Sequence, residues 1–233
     1  MHIIEKHNDK NLSVIREVRI MKEQYPFSLK PLPYTYDSLE PYISQRTMRV
    51  HHTRLHASYV RDLNEEIKEK PEYLGLSLCE IYSKAEQKKD KTSEKIRHLC
   101  AAVYNHNLFF AILAPTYDNA IRSPQGNLAR AIRREYGSEE RFMLTLRDEA
   151  LALRGSGWVF LCKDNDDIPR IISAKNHSIP SPDVYSPILI LDCFEHAFFL
   201  DYLDKKKDYY ENYFRLINWK LAELLWTSSI VYK

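Results

Sequence analysis

The chain has 233 residues, 44% apolar and 28% charged, with 34 Lys and Arg against 32 Asp and Glu for a formal net charge of +2. That length suits one large domain or two small ones with a sizeable core. The charge balance excludes a polycation built for nucleic acid, and the composition excludes disorder.

Five glycines leave little room for Gly-rich phosphate loops, whereas sixteen tyrosines and nine histidines direct attention to metal and proton chemistry. Cys79, Cys100, Cys162 and Cys193 form no C-x-x-C pair, so a zinc ribbon or thioredoxin-type motif is not supported. All four are expected to be reduced, buried thiols. No stretch approaches the ~20 apolar residues of a membrane span. Charges interrupt the first 24 residues throughout, so no signal-type run is present. The expectation is a cytoplasmic protein without a membrane partner.

In chain order, Leu12, Ile15, Val18 and Met21 recur every three residues and predict a short amphipathic helix in an extension over 1–25. Pro26, Pro31 and Pro33 forbid a helix and predict an extended arm. Asp37 or Ser38 could cap a short helix at Leu39-Glu40. Helical composition then runs from Ser44 to Lys70, from Ser77 to Glu86 and from Ser93 to Leu113, with QKKDKT at 87–92 as a polar turn. Residues 26–115 therefore read as an α-helical hairpin domain. Asn127–Glu135 and a Ser138-capped segment predict two more helices. Trp158–Cys162 and Arg170–Ser173 predict a hairpin, and Pro187–Asp192 a buried third strand. Helical composition follows to about Trp226. The fold class is α+β: an N-terminal helical hairpin, then over 116–233 a three-stranded antiparallel sheet flanked by helices.

Asp192 and His196 stand at i and i+4 across a strand-to-helix junction, which can aim both at one point. His51 and His106 lie on helices long enough to reach it, as in metal sites built from facing helices. A carboxylate with imidazoles suits Mn, Fe or Zn, and three imidazoles with one carboxylate leave a coordination position open, as a catalytic redox metal needs.

These residues sit in ordered motifs: L-P-Y-x-Y-D-x-L-E-P at Leu32–Pro41, H-H-T-x-x-H at His51–His56 followed by Tyr59, N-H-x-x-F at Asn105–Phe109, G-S-G-W at Gly155–Trp158, and D-x-F-E-H-A at Asp192–Ala197. Together they resemble the iron/manganese superoxide dismutase family over about residues 26–227. The resemblance implies metal ligands at His51, His106, Asp192 and His196, with one Fe or Mn per subunit. It implies a substrate-channel role for Tyr59, and for Glu195 a reach across a homodimer interface to the partner's ligand histidine. Trp158 and Phe194 become apolar pocket walls, while His52 and His56 are not ligands and His52 is structural. Lys206 takes the place where many relatives carry an Arg at the substrate funnel. The implied reaction converts superoxide and protons to dioxygen and hydrogen peroxide.

The chain also departs from the family. The Gln that usually hydrogen-bonds the solvent on the metal is absent from both its places, which read Ala102 and His177. An imidazole at His177 can serve as a donor instead. Relatives with His there are often iron-dependent or dual-metal, which gives a slight lean to iron. The family's His–Tyr pair at the dimer interface reads Leu55 and Phe199, and Phe110 replaces a common pocket Trp. The leading expectation is a superoxide dismutase. The alternative is a metal-binding structural or surface-associated paralogue with low activity.

Overall fold

The computed structural model describes residues 23–115 and 123–228. The amphipathic helix expected over Leu12–Met21 lies outside them.

The hairpin's first arm is one long helix with an irregular middle. It starts as α1 (Gln45–Val50), passes through a π-helical stretch at His51–His56, and continues as α2 (Ala57–Ile67). Ser44 caps it by accepting from the Thr47 amide, so one otherwise unpaired N–H is satisfied. The second arm is α4 (Lys91–Ile112), capped by Asp90 accepting from the Ser93 amide. Between them α3 (Leu78–Glu86) opens with a full capping box, Ser77 and Glu80 each bonding the other's backbone. Every residue of α4 from Leu99 to Phe110 is buried. Such a helix has no polar face and must run through the interior.

The short helix expected at Leu39-Glu40 does not form. Residues 36–42 are successive turns, with Thr35 Oγ1 donating to Asp37 and Pro41 following Glu40. The proline ring disfavours helical geometry at the residue before it. The arm over 26–34 carries no regular structure, as its prolines predict, and side chains hold it in place. Asn64 accepts from the Phe27 amide at 2.9 Å and donates to the Phe27 carbonyl at 2.8 Å. His52 Nε2 donates to the Lys30 carbonyl at 2.8 Å. Its Nδ1 must then accept from Tyr36 Oη, 3.0 Å away. The structural reading of His52 is thereby explained: it pins the arm to the helix.

In the second half, α5 (Gly126–Tyr136) ends at Gly137 with φ 82°, and α6 (Glu139–Ala152) starts from a Ser138 cap. The sheet comprises β1 (Gly157–Lys163), β2 (Pro169–Lys175) and β3 (Ser186–Asp192). Its order is β2-β1-β3, antiparallel throughout. Central β1 is buried from Gly157 to Cys162, which accounts for its continuous apolar run rather than alternation. Then come α7 (Glu195–Tyr202), α8 (Lys206–Tyr213), a 3-10 turn (Phe214–Leu216) and α9 (Trp219–Thr227).

Two buried clusters form. One gathers the sheet, α6, α8, α9 and the end of α4 around Trp158, Trp219 and Phe142. The other fills the hairpin around Leu63, Ile67, Ile81 and Ile96. Each fully buried side chain of this size contributes roughly 1.5–3 kcal/mol of hydrophobic free energy. Helix α4 belongs to both clusters, so it fixes the hairpin against the sheet at the level of His106. All four cysteines are free and buried, as expected.

Candidate metal centre

β3 and α7 create the first half of the site. Asp192 ends β3 opposite Trp158 in the sheet register. Its Oδ1 accepts from the Phe194 amide at 2.8 Å, which fixes the turn leading into α7. That helix lifts His196 over the strand end, with Nε2 3.2 Å from Asp192 Oδ2. The π-helical stretch brings His51 to the same carboxylate, with Nε2 3.3 Å from Oδ2. π-helical turns recur at functional sites because the wider turn re-aims a side chain.

His106 arrives from α4. Its Nδ1 donates to the Ala102 carbonyl at 2.7 Å. The Nε2 lone pair therefore faces the site. One ligand atom from each of His51, His106, Asp192 and His196 lies within 4.8 Å of all the others.

His51 Nε2 and His106 Nε2 are buried and make no hydrogen bond within the protein. Two such atoms aimed at one buried carboxylate are costly in a protein interior unless something else binds them. A metal cation satisfies both and balances the carboxylate. Mixed imidazole and carboxylate donors suit Mn, Fe or Zn. Burial pushes the His51 imidazole down to about 4 despite Asp192 beside it. His106 is lowered well below its usual value, again chiefly by burial. Both stay neutral, the state a ligand requires. Burial by itself would raise the Asp192 carboxyl. Instead the imidazoles of His196 and His51, 3.2 and 3.3 Å from Oδ2, hold it well below the usual carboxylate range, His196 contributing most.

Aromatic rings enclose these four residues. Trp158 stands edge-on to His106 at 5.1 Å, Phe110 edge-on to His51 at 4.9 Å, and Phe194 stacks on His196 at 5.0 Å. His177 is buried and stacks on Phe194 at 4.5 Å. Trp158 Nε1 donates to His177 Nδ1 at 3.1 Å, and His177 Nε2 lies 3.1 Å from Tyr59 Oη. The ring of half-buried Tyr59 is 5.4 Å from that of His106. Burial, with smaller contributions from Asp192 and Asp62, raises the Tyr59 phenol.

Glu195 is exposed on the first turn of α7, so its cross-subunit reading needs a second copy of the chain. Lys206 is half-buried at the start of α8, and its charge acts on the Cys193 thiol beside Asp192. Two histidines without an expected role also stand near the centre. His56 is buried and stacks on His106 at 5.3 Å. His98, exposed on α4, meets the His177 ring at 5.0 Å. No motif contains His98, and its place eight residues before His106 gave the sequence no signal to select it.

A helical hairpin joined to a three-stranded α/β unit, with three histidines and one aspartate converging where they meet, makes a candidate mononuclear metal centre. Residues 26–114 match the alpha-hairpin domain of the iron/manganese superoxide dismutases, and residues 124–224 match their C-terminal domain. The chain belongs to the iron/manganese superoxide dismutase family. It is 36% identical over 196 residues to "Superoxide dismutase [Mn]" of Listeria monocytogenes, covering 84% of this chain and 95% of that one. To "Superoxide dismutase [Mn] 1" of Leptolyngbya boryana it is 35% identical over 198 residues, covering 84% and 78%. To "Superoxide dismutase [Mn/Fe] 2" of Staphylococcus aureus it is 32% identical over 203 residues, covering 87% and 98%.

Proposed function

We propose that His51, His106, Asp192 and His196 hold one Fe or Mn ion, and that the protein uses it to convert two superoxide anions and two protons to dioxygen and hydrogen peroxide. The carrying observation is the convergence of four ligand atoms within 4.8 Å, two of them buried imidazole nitrogens without a hydrogen bond. A bound ion of this kind supplies the one-electron couple that oxidises one superoxide and reduces the next. Asp192 contributes the single negative charge of the ligand set. Trp158, Phe110 and Phe194 limit water around it. His177 holds its proton toward Tyr59 Oη, which leaves the phenol O–H free to point into the pocket.

The slight lean to iron drew on Ala102 and His177, and the relatives lend it no support: their names carry manganese or both metals. This donor set suits either ion. The alternative of a low-activity structural paralogue likewise finds no support, since the relatives are named as superoxide dismutases. The homodimer reading rests on α7 and the residue after it, where Phe199, Leu200 and Leu203 are 49%, 47% and 60% exposed on the element that carries Glu195. Such a run of exposed apolar side chains on one short element suits burial against a second copy.

Loading the protein separately with Fe and Mn, then measuring metal content and superoxide consumption, tests the function. One ion per subunit with rapid consumption for at least one metal is expected; stoichiometric metal without consumption would refute it. Sedimentation of wild type and Phe199→Glu tests the dimer, with the variant expected to sediment as a monomer.

A further inference from the structure

His98 occupies an unusual place. It is exposed on the second hairpin helix, about two turns before His106, yet its ring packs edge-on to two pocket residues. It lies 5.0 Å from the His177 ring at 73° and 6.4 Å from the Tyr59 ring at 71°. Among the described residues, His98 and His106 are the histidines whose rings meet both Tyr59 and His177. His106 is fully buried, so His98 is the member of that pair that reaches solvent.

The two residues behind it cannot change charge without breaking their contacts. Indole nitrogen is only a donor, so His177 Nδ1 must accept from Trp158. A second proton on that nitrogen would expel the indole. Tyr59 Oη already receives the other His177 nitrogen at 3.1 Å. A change of charge on this side of the pocket therefore falls to His98.

We propose that His98 forms the mouth of the anion path to the metal pocket, and that its protonated imidazole draws superoxide toward Tyr59. The proposal rests on the superoxide dismutase reading above. The substrate is a small anion, and a cation at a narrow entrance raises its local concentration and encounter rate. The neighbours leave this role to His98. On its own helix Glu94 lies one turn back, and Lys95 is held by Glu66 of α2. Arg97 is paired with Glu86 of α3. Across from it α2 presents Tyr59, Asp62 and Glu66, with Arg61 paired to Asp62. The β2–β3 connection presents His177. The nearby fixed cations are thus committed to carboxylates. Burial against these rings lowers the His98 imidazole from its usual 6.5, so the cation grows as pH falls below that value.

The test compares metal-loaded full-length wild type, His98→Gln and His98→Lys between pH 8 and pH 5.5. Two quantities are read: affinity for azide, as an anion probe followed by the metal spectrum, and kcat/KM for superoxide at low and high ionic strength. Wild type is expected to gain in both as pH falls, up to the roughly threefold effect of a full unit charge about 7 Å away in water, and to lose the gain at high salt. His98→Gln should lack this step. His98→Lys should show the raised values across the whole range without a step. Superimposable pH profiles for wild type and His98→Gln, or a step that persists in His98→Lys, would overturn the proposal. A protein that binds metal and shows the His98-dependent azide step but consumes no superoxide would instead refute the enzymatic reading and leave the anion path standing.

Discussion

Trp158 and His177 are joined by a hydrogen bond that can run in one direction only. The indole Nε1–H donates and His177 Nδ1 accepts, at 3.1 Å. The neutral imidazole therefore keeps its proton on Nε2, where it faces Tyr59 Oη. A residue of the central strand thus sets the tautomer of a loop histidine, which sets the orientation of a phenol on the hairpin. His177→Gln should preserve metal binding, because an amide can accept from Trp158 and donate to Tyr59. His177→Ala and Tyr59→Phe should combine less than additively, since each removes the same hydrogen bond, worth about 1 kcal/mol. A double-mutant cycle on unfolding free energy and on the pH profile of kcat checks this; fully additive effects would show no coupling.

Asp192→Asn isolates the charge of the ligand set. The amide oxygen can still cap the Phe194 N–H, so the strand-to-helix junction should survive. Metal affinity should fall by more than the roughly 10–100-fold typical of losing an outer partner of a ligand. Metal analysis after dialysis against a chelator reads this directly. Retention equal to wild type would remove Asp192 from the ligand set.

Acid should unfold the metal-free protein early. His51 is depressed to about 4, His56 and His177 to about 3, and His106 well below its usual value, each chiefly by burial. These folded-state values lie below the unfolded value near 6.5, so the unfolded chain binds more protons between them. Their stability contribution is complete above pH 6.5 and is lost as pH falls toward 4. Each histidine costs roughly 1.4 kcal/mol per pH unit in that window, so four together amount to several kcal/mol by pH 5. Denaturant midpoints of metal-free protein at pH 7.5, 6 and 5 should fall steeply, and equal midpoints would contradict the burial of these rings.

Gly157 shows how backbone spacing reaches the metal ligands. Its carbonyl accepts from the Cys193 amide at 3.0 Å, one residue past Asp192. A Cβ there would meet the Ala174 carbonyl oxygen well inside van der Waals contact, with Leu153 Cδ2 at 2.9 Å. Gly157→Ala should therefore push β1 from β2 and cost about 1–3 kcal/mol. Thermal unfolding measures the loss. The same variant should also lose metal more readily, whereas a silent substitution would mean that the strand pair yields freely.

Much of this architecture is legible in the chain. The cap at Ser138 and the apolar run from Trp158 mark elements by local chemistry, and local chemistry is what a sequence displays. The Asp192–His196 spacing across a strand end points to the centre for the same reason. Other features depend on distant partners. The π-helical turn at His51–His56 has ordinary helix formers around it, and nothing local distinguishes it. The helix proposed at Leu39-Glu40 had a capping residue but not the geometry, because Pro41 outweighs the cap. His98 meets the pocket through Tyr59 and His177, 39 and 79 positions away, and no local pattern reports such pairings.

The π-helical stretch also makes the hairpin sensitive to length in a way that substitutions do not probe. A widened turn holds one more residue than a regular one, so it takes up an extra position while the helix on either side keeps its phase. Deleting a single residue between Arg54 and Ala57 would let the stretch relax into a continuous α-helix, and Asn64 would keep the Phe27 backbone and Tyr59 its contact with His177. A deletion in the regular helix between Tyr59 and Asn64 has no such slack: the helix beyond it would turn by about 100°, and Asn64 would swing off the backbone it grips. That change would be a phase error, a well-formed helix presenting the wrong side to the arm.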